Sequence, residues 1–188
     1  MLEFNYYERY LRGALHEAKY YLMSKDLFWP LDLTHPLKKA PYPKLTIGNL
    51  LYFRYGTIAS AITSYHKQTI NQADSIYKEI KEEWPVAWEE KAEMEFRSRL
   101  RQWAYYLKEL GNNMEAYAPY YPVEVRVRVL LQLLNEELKH TDRDQETLDA
   151  LDGQLKDLFH KSDFVWDQGL SRAFPKKEFW YLYGYLDT

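Results

Sequence analysis

Apolar side chains return every three or four residues through most of this chain. That spacing constrains the fold more than any other feature, because it is the period of an α-helix with one buried stripe. In residues 2–24, Phe4, Tyr7, Leu11, Ala14, Leu15, Ala18 and Leu22 fall within one arc of about 100°. Glu8, Arg9, Arg12, His16 and Lys19 form a polar arc opposite it, and Tyr6, Tyr10 and Tyr20 fill the remaining side. The first helix therefore carries two apolar flanks.

The period then stops. Residues 26–45 hold Pro30, Pro36, Pro41 and Pro43, each fixing φ and removing a backbone donor, so a long proline-rich loop is expected after helix 1. From Thr46 the helical spacing resumes with Ile47, Leu51, Tyr55, Ile58, Ile62 and Tyr65, and continues with Ile70, Ala73, Ile76, Tyr77, Ile80 and Trp84. The two runs are nearly in phase, but Thr69-Ile70-Asn71-Gln72 has the form of a capping box, which predicts a break there. Pro85 suits the first position of a further helix with the stripe Trp88, Ala92, Phe96, Leu100, Trp103, Leu107 and Leu110, stopping at Gly111. Glu93/Arg97 and Glu95/Arg99 lie four apart along it, the spacing of surface ion pairs.

Residues 111–122 read as a loop. The strict alternation from Val123 to Val129 is a strand pattern, yet no other segment offers it a partner. Val123, Val127, Leu130, Leu134 and Leu138 also share one helical face, so a helix is predicted. Thr141 or Asp142 then caps a helix bearing Leu148, Leu151, Leu155, Leu158 and Phe159. The tail from Phe164 to Leu186, broken at Gly169 and Pro175, reads as two short aromatic helices. The expected fold is all-α: a single-domain bundle of about six or seven helices over residues 1–188.

Several chemistries are excluded by what these helices carry. The chain has no cysteine, which removes disulfides, thiol catalysis and thiolate metal sites and makes the cytoplasm the expected location. The charged N-terminus lacks the apolar core of a secretory signal. Even the most apolar run, Val123 to Leu134, contains Glu124, Arg126 and Arg128, so no membrane partner is expected. The 25 basic and 28 acidic residues are scattered and sum to a net charge of −3, which argues against duplex nucleic acid as a partner.

A Glu-x-x-His step, the element of carboxylate-bridged metal centres, occurs once, at Glu137 and His140. His16, His35, His66 and His160 supply no opposing half, so neither a metal nor another cofactor is expected. No serine sits in a Gly-x-Ser-x-Gly elbow, and no glycine cluster forms a phosphate loop. Arg9, Arg12 and His16 share the polar arc of helix 1. Metal-independent helical ribonucleases of the HEPN type use an Arg and a His at about this spacing, but one short pattern on the N-terminal helix does not amount to a resemblance. In the proline-rich loop, Lys38, Lys39 and Lys44 surround Tyr42, and basic residues interleaved with aromatics can hold an anionic ligand by charge and stacking.

The chain also carries 18 tyrosines, several in adjacent pairs such as Tyr6-Tyr7 and Tyr105-Tyr106. Neighbours on a helix point about 100° apart, so one packing partner cannot bury both rings. Tyr6, Tyr10 and Tyr20 are therefore interface candidates, with a symmetric homodimer the commonest closed form. The leading expectation is a non-catalytic helical binding or interaction protein. The alternatives are a ribonuclease face on Arg9, Arg12 and His16, or a small-ligand or metal-binding helical bundle.

Overall fold

Two threonines set the first helix boundaries after α1. The Thr46 hydroxyl accepts from the Asn49 amide at 3.1 Å, and the Thr63 hydroxyl accepts from the His66 amide at the same distance. Each satisfies one of the amides that a helix start leaves without an internal partner. They open α2 (Ile47–Ala59) and α3 (Ser64–Glu83) behind α1 (Phe4–Met23) in the computed structural model, which describes residues 4–34, 41–138 and 142–187. The helices α4 (Pro85–Asn112), α5 (Met114–Tyr117), α6 (Tyr121–Asn135) and α7 (Asp142–Leu158) follow, and a two-stranded sheet of β1 (Phe159–Phe164) and β2 (Tyr183–Leu186) closes the chain. None of the described helices is long and apolar enough to cross a membrane.

The chain divides into two compact units, Met1–Glu95 and Phe96–Thr188, the division falling within α4. In the first unit α1 packs on both α2 and α3. Its buried residues include Tyr7, Tyr10 and Tyr21 beside Leu11, Ala14, Leu15, Ala18 and Leu22, so both apolar flanks of the helix are used. Close approach to α2 depends on Gly56, where a Cβ would run into the Tyr7 ring. After α1 an isolated bridge joins Trp29 to Leu45: the Trp29 amide donates to the Leu45 carbonyl at 3.0 Å and the Leu45 amide donates back at 2.7 Å.

Two charged residues of α4 are buried in this unit. The Glu95 carboxylate accepts from the Thr46 hydroxyl and the Gly48 amide, both at 2.7 Å, placing a negative group at the N-terminus of α2 where the helix dipole favours it. Lys91, one turn earlier, donates to the Asp26 carbonyl at 2.6 Å beyond the C-terminus of α1, and its ammonium lies 4.7 Å from the Tyr21 ring centre. Burial pushes its pKa down. The expectation that Glu95 belongs to a surface ion ladder is thus corrected.

In the second unit, α6 and α7 are joined by a buried ion pair. Arg128 donates Nε and Nη2 to the two Asp152 oxygens at 2.7 and 2.8 Å, with its guanidinium 4.6 Å from the Tyr181 ring centre. Tyr121, at the start of α6, donates its hydroxyl to the Tyr181 carbonyl at 2.6 Å, and Trp166 donates to the Pro122 carbonyl at the same length. The aromatic tail is thereby tied to the start of α6.

Three expectations are revised. The break between residues 46 and 84 lies at Ser60–Thr63, not at Thr69, whose hydroxyl instead donates back to the Tyr65 carbonyl within α3. The loop over 111–122 contains α5, capped by Asn113, and a 3-10 turn at Ala118–Tyr120. The tail is not a pair of helices: β1 and β2 are antiparallel, pairing Phe159 with Leu186, His160 with Tyr185 and Lys161 with Gly184 before a bulge, and two 3-10 turns lie between the strands. The all-α class holds broadly, and the segment from Val123 to Val129 is helical, as expected.

Candidate functional site

On the solvent side of α1, Arg12 and His16 form a ridge between two depressions of the first unit. The first, of about 520 Å³, has Arg9, Arg12 and His16 on one wall and Trp29, Leu31 and Leu33 on the other. The second, of about 580 Å³, is a groove between α1 and α3 with Thr57 of α2 at its base. Its floor is apolar (Leu11, Leu15 and Ala73), the exposed Ile76 stands at its edge, and Arg12, Gln68 and Gln72 make the rest of the rim polar. A concave apolar floor with a few polar groups around it is the usual form of a binding site.

The ridge residues share a face, but each turns to a partner of its own. Arg9 Nη1 donates to the Thr34 carbonyl at 3.1 Å, Arg12 Nε lies 3.5 Å from Glu8, and His16 Nδ1 lies 3.1 Å from Glu17. Glu17 also accepts from the Trp29 indole at 3.4 Å. The side chains of Arg12 and His16 are 75% and 79% exposed. A general acid or base acts within hydrogen-bond reach of a held substrate. These groups stand on an open ridge.

The loop residues proposed for ligand binding fare unevenly. Lys38 and Lys39 lie outside the described residues, as does His140 of the Glu-x-x-His step. Tyr42 is turned inward: its hydroxyl donates to the Tyr6 carbonyl at 3.0 Å, its ring stacks on Tyr6 at 5.0 Å, and burial raises its pKa against the opposing influence of Arg9. The Lys44 carbonyl accepts from the Tyr10 hydroxyl at 3.2 Å and from the Asn49 amide group at 3.0 Å, while the residue itself is exposed. These two residues are not brought together around a cavity.

The tyrosine strip of α1 is divided as well. Tyr10 is fully buried, its ring 3.9 Å from that of Phe53, and so presents no surface to a partner. Tyr6 is half-buried between Tyr7, Tyr42 and Phe53, and only Tyr20 is well exposed. Of the three interface candidates, Tyr10 is thus covered from within the chain, by Phe53 of α2 and by Tyr42.

For α3, the spacing anticipates a helix ending at Trp84 but not its start at Ser64, nor that its apolar stripe stays open. This helix of 20 residues has an apolar stripe, yet Tyr77 is its one buried residue. Tyr65 is 72% exposed and Ile76 46%, and Ile62 at the α2–α3 corner reaches 78%. The residues of α3 that wall the groove, Tyr65, Gln68, Thr69, Gln72, Ala73 and Ile76, carry no charge. That gap in charge is legible at helical spacing once the start of α3 is known. Compared with known proteins, the chain matches no family model, no curated protein and no solved structure.

Proposed function

We propose that the protein is a non-catalytic binding module and that its binding face is the α1/α3 groove of the first unit. The observation that carries this reading is α3, a helix of 20 residues with a single buried side chain. A surface helix ordinarily covers its apolar stripe with its own core. Here the stripe borders a groove floored by Leu11, Leu15 and Ala73 and edged by Ile76, and its α3 wall lacks charge, as the centre of a protein interface does. Absence of cysteine suits work in a reducing compartment such as the cytoplasm. Neither duplex nucleic acid nor a metal enters the reading.

The ribonuclease alternative has less support, because Arg9, Arg12 and His16 engage separate neighbours on an open surface. Ala73→Phe tests the binding face, since the larger ring fills the space over Leu11 and Leu15 that an occupant would take. With the apolar dye anilinonaphthalene sulfonate at dilute protein, the wild type is expected to enhance emission and Ala73→Phe to lose most of the enhancement at unchanged circular dichroism. Equal emission from the two folded proteins would refute the groove as the binding face.

A further inference from the structure

The groove wall on α3 has a property that selects among occupants: it is compatible with itself. Under a two-fold axis one patch meets its own copy, so a wall of single charge would repel, whereas an uncharged or mixed wall would not. From Tyr65 to Ile76 the lining side chains are an aromatic, two glutamines, a threonine, an alanine and an isoleucine, in a chain that is 28% charged. The α1 wall adds Glu8 and Arg12, opposite in sign and 3.5 Å apart. His16 also lines this wall beside the Glu8–Arg12 pair, so no wall of a single charge faces a copy of itself.

We infer that the face bordering the groove packs against the same face of a second copy of this chain, with the two α3 helices antiparallel across the axis. The inference rests on the groove being the binding face. With the axis passing between Ile70 and Asn71, Tyr65 meets Ile76 of the second copy, Gln68 meets Ala73, and Thr69 meets Gln72. The apolar residues pair at the two ends. The Thr69 hydroxyl, which donates within α3 to the Tyr65 carbonyl, still accepts, so each middle pair can be held by the Gln72 amide of the opposite copy donating to it.

The seam from Tyr65 to Ile76 is about 16 Å long at the rise of a helix. Ile58 and Ile62, both exposed at the α2–α3 corner, extend the apolar face beyond it. A stable interface covers roughly 800 Å² on each partner, so a seam of about three turns gives a reversible dimer rather than a permanent one.

Light scattering across a concentration series tests the assembly. The wild type is expected to rise from 22.7 kDa toward twice that mass as concentration reaches several hundred micromolar. Ile76→Glu, and separately the solvent-facing Gln72→Glu, which sets like charges close to the axis, should both stay at the mass of one chain with unchanged helical signal. Register is tested by cysteine pairing, which is clean because the chain has no cysteine of its own. A mixture of Tyr65→Cys and Ile76→Cys proteins should form a disulfide-linked pair about tenfold faster than either variant alone, because only the mixture brings the two thiols together at high effective concentration. A wild type that remains monomeric, dimers that survive both charge variants, or cross-linking no faster in the mixture would overturn the inference. If the wild type is monomeric but dye binding still depends on Ala73, the groove remains a binding face and only the second copy is ruled out. Loss of both results removes the binding face itself.

Discussion

At the scale of single residues, the side chains that hold the first unit together differ in kind from those on the α1 ridge. Glu95→Ala would leave the Thr46 hydroxyl and the Gly48 amide without their buried acceptor. Removing one side of such a buried charged arrangement is expected to cost about 2–4 kcal/mol, read as a drop in the urea midpoint. Gly56→Ala should cost about 1–3 kcal/mol, because its Cβ and the Tyr7 ring cannot share the space and α1 must shift on α2. Arg12→Ala and His16→Ala, on the exposed ridge, should stay within about 0.5 kcal/mol of the wild type in the same measurement. A large loss at either ridge position would mean that the ridge is structural.

At the scale of elements, helical spacing located α1, α4, α6 and α7 well because each keeps one phase over several turns. It failed where a local hydrogen bond decides the outcome. Thr63 and Thr69 both have the chemistry of a cap, and Thr63 takes the role, leaving Thr69 to bond back along α3. Four-residue β2 is too short to establish a period, and its pairing with β1 is interrupted by a bulge. Lys91 and Glu95 were not legible: both lie just beside the stripe of Trp88, Ala92 and Phe96, where their spacing suits surface ion pairs, and their buried partners come from residues distant in sequence. For the candidate site, the Arg9–Arg12–His16 arc was legible, but the groove was not, because it depends on α3 lying beside α1. The α6–α7 pair gives a prediction at this scale. Asp152→Ala, which strands Arg128 in the core, should cost about 3–5 kcal/mol, whereas Arg128→Met combined with Asp152→Leu should cost much less. Equal losses in the single and double variants, followed by denaturant unfolding, would contradict this account.

At the scale of the whole molecule, the buried tyrosines of the second unit tie stability to alkaline pH. Burial raises the pKa of Tyr106, and that of Tyr121 well above its ordinary value; it also raises that of Tyr181, with Arg128 opposing the rise. These hydroxyls keep their protons in the folded state at a pH where the unfolded chain, with ordinary values of about 10, has lost them. Their contribution is complete below about pH 10 and is lost as pH rises above it, so stability should fall on the alkaline side. Phenolate absorbance should then show these residues titrating together with unfolding rather than before it. The central claim, that the protein binds through the α1/α3 groove and takes a second copy there, is tested most directly by residue-resolved amide shifts as concentration rises from about ten to several hundred micromolar. The account predicts concentration-dependent shifts centred on residues 8–16 and 65–76, absent in Ile76→Glu. A spectrum that does not change with concentration, or changes centred on another surface such as Tyr105 and Tyr120, would contradict it.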